Sequence, residues 1–148
     1  MDYSLIFASL SLIVSLVNAL YSYSQKEKLN KINIRSKYFE KIFDEHLIIK
    51  LPEARKYVRF DENGSLKDPN ALSEALTDMR KDALYFMYAD RKFYDKLRTL
   101  IENLDDYINE CGNKNYHDHD QQSLVFNTIQ DKMESIYNCV INSSIGKK

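Results

Sequence analysis

Breakers are scarce in this 148-residue chain, which holds three glycines and two prolines. Gly64, Gly112 and Gly146 are too scattered to build a phosphate-cradling loop. Long helices are therefore expected. Cysteine is nearly absent as well. Cys111 and Cys139 make neither a disulfide framework nor a metal-ligand spacing, which suits a reduced compartment. No nucleophile elbow, zincin helix or Cys–His pair at a recognisable spacing occurs, so the chain is read as a non-enzyme. Its formal net charge of −1 gives no global attraction to nucleic acid. Internal repeats and low-complexity tracts are missing too.

Charge is missing where it matters most. No charged residue occurs from Tyr3 to Tyr23, and a membrane-spanning helix needs about 20 such residues. Within this run Ser4, Ser11, Ser15, Asn18 and Ser22 are spaced seven, four, three and four apart. At helical periodicity they share one narrow face. A polar row gains nothing on a lone helix in lipid; it fits a helix–helix seam or a water-filled pore between copies. Val17 and Ala19 resemble a signal-peptide cleavage site, but only Asp2 and the amino terminus precede the run, whereas a signal peptide starts basic. Lys26, Lys28, Lys31, Arg35, Lys37 and Lys41 follow it. The positive-inside tendency then places Met1 outside and the C-terminal body in the cytoplasm, anchored in the cell inner membrane by a single pass. Tyr3, Tyr21 and Tyr23 suit the two interfacial belts.

Beyond Gln25 the pattern stays helical. Leu29, Ile32, Phe39, Phe43, His46 and Ile49 recur at helical spacing, and nothing breaks the chain before Pro52. The expected fold is all-α: a transmembrane helix (1–24), a juxtamembrane helical stalk (25–51) and a cytoplasmic helical bundle (52–148). Pro52 suits a new first turn. Tyr57-Val58-Arg59-Phe60 before Asn63-Gly64 leaves two readings open, a short helix capped near Gly64 or a small β-hairpin near residues 57–67. Asp68-Pro69 suits the start of the next helix, with Leu72, Leu76, Met79, Ala83 and Phe86 as its buried face. Asp90 is read as the cap of a further helix faced by Phe93, Leu97, Leu100, Leu104 and Ile108, ending at Cys111-Gly112. A last helix carries Val125, Ile129, Met133, Ile136 and Val140.

Two stretches carry candidate chemistry. Arg80, Lys81, Arg91 and Lys92, beside Tyr85 and Tyr88, combine cations for phosphates with rings for stacking on bases. Arg55, Lys56 and Arg59 are candidate additions, and a solvated face paired to Asp82, Asp90 and Asp95 is the plainer reading. Tyr116-His117-Asp118-His119-Asp120 offers nitrogen and oxygen donors. Its spacing is unspecific, and the preferred reading is a polar loop in which Asp118 or Asp120 caps the last helix; no metal and no cofactor are expected.

Leu51-Pro52-Glu53-Ala54-Arg55-Lys56, Asp61-Glu62-Asn63-Gly64 and Met79-Arg80-Lys81-Asp82-Ala83-Leu84-Tyr85-Phe86 resemble small bacterial proteins with one N-terminal membrane helix and a helical cytoplasmic domain. The plan is similar to that of Hailong-type antiphage membrane channel effectors. That resemblance implies a homo-oligomeric pore in membrane lipid, controlled by a nucleotide or oligonucleotide signal from a partner nucleotidyltransferase. The expected function is thus an oligomeric membrane effector, a ligand-gated channel or membrane-disrupting protein of bacterial antiphage defence. The alternative is a non-conducting membrane-anchored adaptor or assembly protein.

Overall fold

The computed structural model describes the backbone of residues 3–144 and the side chains of residues 14–144. It is mostly helical with one short antiparallel hairpin. The chain divides into two compact units, Met1–Ser36 and Lys37–Lys148.

Helix α1 runs Tyr3–Lys41. No glycine or proline interrupts that stretch, so nothing in the backbone ends it. From Val14 to Tyr38 its described residues are exposed, including Val14, Leu16, Val17, Leu20, Tyr21 and Tyr23. Among the described residues no helix is long and apolar enough to cross a membrane. The first half of the expected span, up to Ile13, lies outside the residues with described side chains.

A π-helical segment, Ile42–Lys50, follows, and then helix α2, Leu51–Tyr57. Pro52 lies in the first turn of α2, as expected, but the chain does not leave the helix before it: Lys50 and Leu51 stay helical, and the turn before Pro52 widens. The physical cause lies in the proline. A proline ring collides with the carbonyl four residues back and donates no hydrogen bond. In the widened turn the Leu51 amide reaches the His46 carbonyl five residues back. The same pattern would aim residue 52 at the Leu47 carbonyl, but Pro52 has no N–H to give. The Tyr137 hydroxyl donates to that carbonyl instead.

Widening also changes the buried face. Phe43 and Ile49, expected to line one side, are exposed, whereas Leu29 and Ile32 are exposed as part of the uncovered stretch of α1 that precedes the widened turn. Burial falls on Phe39, Ile42, His46, Leu47 and Leu51, with five-residue steps from Ile42 to Leu47 and from His46 to Leu51. These residues belong to the core of the second unit.

Of the two open readings near Gly64 the hairpin is the one that forms; helix α2 ends at Tyr57, well short of Gly64. After α2 comes a hairpin of β1, Arg59–Phe60, and β2, Leu66–Lys67, with Arg59 opposite Lys67 and Phe60 opposite Leu66. Asp61 sets the turn by accepting from the Asn63 and Ser65 amides, each at 2.9 Å. Gly64 has φ +74°, and a Cβ there would stand 2.3 Å from the Tyr116 carbonyl oxygen. Only glycine fits that approach.

Helix α3, Pro69–Asp82, begins as expected at Pro69, but Asp68 adopts the left-handed region (φ 52°) and its side chain caps nothing. Ala83 separates α3 from a short helix α4, Leu84–Ala89, yet Leu72, Leu76, Met79, Ala83 and Phe86 are all buried. Helix α5, Arg91–Gly112, starts where Asp90 accepts from the Phe93 amide at 3.2 Å. Leu100 is half-buried on it, while Tyr94, Ile101 and Cys111 add to the buried face. Helix α6, His119–Ser144, buries Val125, Ile129, Met133, Ile136 and Val140. The Asp118 carboxylate, one residue before it, accepts from the Asp120 amide at 3.1 Å.

In the second unit α5 packs on α6, α3 lies against α2 and α5, and the π-helical segment touches α2, α3 and α6. Phe86 joins two edges of the core, with ring centroids 4.5 Å from Phe39 and 4.8 Å from Phe93. A second aromatic group of Phe60, Tyr116 and Phe126 seats the hairpin, and the Arg55 guanidinium lies over Phe126.

Candidate functional site

The basic–aromatic segment spans α3, α4 and the first turns of α5. Phe86 and Phe93 are buried, so part of the aromatic content is core. Tyr85 is half-buried, and its ring stacks on Tyr38 at a centroid distance of 4.1 Å and an interplanar angle of 3°. One face of the ring is therefore taken. Tyr88 is 86% exposed.

Most of the cations have carboxylate partners. Arg91 Nε sits 2.9 Å from Asp95, and Lys81 Nζ 3.1 Å from Asp78. Both pairs lie within one helix at the short spacings that bring side chains together. Arg80 and Arg98 meet at Glu102 across α3 and α5, at 3.6 and 2.7 Å. The Glu102 hydrogen bond raises the Arg98 pKa further. Lys92 has no ion-pair partner among the described residues. Of the expected partners, Asp95 serves a cation, Asp90 caps α5, and Asp82 is engaged elsewhere.

Arg55 differs from the others. Burial lowers its pKa, and its Nη1 donates to the Val58 carbonyl, at 3.3 Å. Arg59 and Lys67 stand directly opposite each other on the hairpin. They line an open cleft of about 350 Å³ with Phe60, Asp61, Glu62 and Asn63.

Of the polar stripe on α1, Ser15, Asn18 and Ser22 are exposed. Ser4 and Ser11 lie outside the residues with described side chains.

Sequence spacing did not suggest a third grouping. His46 is the one buried polar or charged residue among those described, with no exposed surface. Its Nε2 lies 2.8 Å from Asp82 Oδ2, and Lys41 Nζ donates to Asp82 Oδ1 at 2.9 Å. Burial pushes the Asp82 pKa up, but the hydrogen bonds and charges of Lys41 and His46 outweigh it and hold the carboxyl below its ordinary value. Asp82 in turn raises the Lys41 pKa, with a smaller contribution from Glu45. Donor atoms of Glu45, His46 and Asp82 all lie within 4.8 Å of one another. The Nδ1 of His46 has no hydrogen-bond partner among the described residues. Thirty-six residues separate His46 from Asp82, so no local motif marks the pair. The available signal was a histidine on an otherwise apolar helical face. By contrast, the sequence-marked His117-to-Asp120 stretch serves as the lead-in to α6 through Asp118.

No protein-family model, curated protein or solved structure matched this chain.

Proposed function

We propose that the chain is an oligomeric membrane effector whose N-terminal helix inserts in the cell inner membrane and whose helical domain is a cytoplasmic sensor. In this reading it is a ligand-gated channel or membrane-disrupting protein of bacterial antiphage defence, and it catalyses no reaction. The observation that carries it is the uncharged run from Tyr3 to Gln25, ended by a series of lysines and arginines. Support comes from the run's place in one helix and from the exposure of its residues Val14 to Tyr23. Such a surface calls for lipid or further copies. The Ser15–Asn18–Ser22 row supplies the polar face that copies share, with Ser4 and Ser11 continuing it in sequence.

Ligand sensing is assigned to the basic–aromatic segment, Arg80, Lys81, Tyr85, Tyr88, Arg91 and Lys92, for a nucleotide or oligonucleotide supplied by a partner nucleotidyltransferase. Exposed Tyr88 and the unpaired Lys92 favour it. The pairing of Arg80, Lys81 and Arg91 with carboxylates favours the second reading, a membrane-anchored adaptor without conduction. A ligand phosphate would have to displace those carboxylates.

The test is the assembly state of the full-length chain in detergent, read by light scattering, with conductance of the same sample in planar bilayers. A closed ring of four or more copies that conducts is expected. A monomer removes the channel, and a ring that never conducts leaves the adaptor.

A further inference from the structure

Buried histidines are normally satisfied at both ring nitrogens. His46 is not. With Nε2–H donating to Asp82, Nδ1 is a lone pair with no donor; with the proton on Nδ1, that N–H has no acceptor. Neither tautomer completes the ring, and it is Nε2 that faces the Asp82 carboxylate. The surroundings are also charged in a way that draws cations. Two carboxylates, Glu45 and Asp82, flank the imidazole, and the nearby Lys41 ammonium responds to both.

We propose that Glu45, His46 and Asp82 hold a first-row divalent cation of the zinc type. One imidazole nitrogen and two carboxylate oxygens are the donor set these ions favour, whereas calcium and magnesium take oxygen alone. Zinc bonds of 2.0–2.2 Å place tetrahedral donors about 3.3 Å apart. The present spread of 4.8 Å therefore closes by a side-chain movement. Glu45 is the member free to make it, being exposed and held by no hydrogen bond or ion pair among the described residues. His46 Nε2 and Asp82 Oδ2 already stand 2.8 Å apart, so Nε2 is the imidazole donor, and the ion takes the place of the proton between them while Nδ1 carries the N–H. Lys41 Nζ occupies the second oxygen of Asp82 and opposes the incoming charge. Three protein donors leave a fourth position for water on the solvent side of Glu45. The bound ion joins the π-helical segment to the last residue of α3. This site lies wholly within residues 41–82 and does not depend on the membrane reading.

The test uses the full-length chain, stripped with chelator and titrated with Co²⁺ as a visible-absorption probe, then with Zn²⁺ by calorimetry. One saturable equivalent is expected, with Zn²⁺ displacing Co²⁺. Glu45→Gln and Asp82→Asn should each weaken binding about tenfold or more, the usual loss when a metal's ligand environment is damaged. Because Glu45 is exposed, Glu45→Gln keeps the fold, which circular dichroism verifies. Lys41→Met should tighten binding several-fold by removing the competing charge; a purely structural clamp would not respond so. A His117→Ala/His119→Ala double variant should bind as the parent does. The proposal is overturned by absence of saturable binding, by binding that Glu45→Gln leaves unchanged, or by binding lost in the His117/His119 variant alone.

Discussion

Single residues decide two of the tightest places in the fold. Gly64 combines a positive φ with a backbone approach from Tyr116, whose amide donates to the Gly64 carbonyl at 2.7 Å. Gly64→Ala meets both penalties, conformational strain and a collision with backbone that cannot swing away. A loss of about 2 kcal/mol or more is expected, from the cost of a non-glycine residue in such a region plus the displaced contact. Urea denaturation with a wild-type slope measures it; a change under 0.5 kcal/mol contradicts the close approach. Tyr137 is the second case. Its hydroxyl serves the Leu47 carbonyl that Pro52 cannot, so Tyr137→Phe leaves that carbonyl without its donor. The expected cost is about 1–3 kcal/mol. In a Pro52→Ala background the restored amide can take the same carbonyl, and the Tyr137→Phe penalty should shrink. Equal penalties in the two backgrounds would separate the proline from the hydroxyl.

Elements in this chain owe their limits to different causes. Helix α5 starts at a side-chain cap and buries a continuous face, and both features follow from its own sequence. The π-helical segment instead needs Pro52 after it, and its buried side is set by α3 and α6 packed against it. Helix α1 is the contrary case, with its described residues exposed from Val14 to Tyr38. If its polar row is shared between copies, replacing Ser11, Ser15 and Asn18 together with Leu should abolish conductance or toxicity while membrane insertion persists. Ile6→Leu with Ile13→Leu preserves hydrophobicity and volume and should be mild. Growth on induction and bilayer recordings report the difference. Equal damage from both sets would show that the row has no special role.

At the scale of the molecule, acid stability should depend on the Lys41–Asp82–His46 contact. The Asp82 pKa is held below its ordinary value of 3.8. The folded chain therefore binds fewer protons at this carboxyl than the unfolded chain does near that pH. Its stabilisation is full above the unfolded value and disappears as pH falls through the lower folded one. With chelator present, the Tm gap between the parent and Asp82→Asn should narrow as pH falls below about 4. A gap that widens in acid would reverse the sign of the coupling. The Asp78 carboxyl, lowered by Lys81, is 48% exposed and should add little.

Sequence by itself determined the helical class, the faces of α3, α5 and α6 and the cap at Asp90, and it narrowed the α6 cap to Asp118 or Asp120. Each rests on periodicity or on neighbours within four residues, where local stereochemistry dominates. The phase of residues 42–51 was not legible there. Phe43 and Ile49 fit an α-helical face as well as Ile42 and Leu47 fit a wider one, and the choice fell to Pro52 together with Tyr137, ninety residues from its partner Leu47. The partners of the cations were legible only in part. Arg91 found Asp95 one turn away, whereas Arg80 reached Glu102 on another helix. Most of all, the joining of Lys41, His46 and Asp82 was decided by tertiary packing, because a charge network between distant segments exists only once their helices are brought side by side.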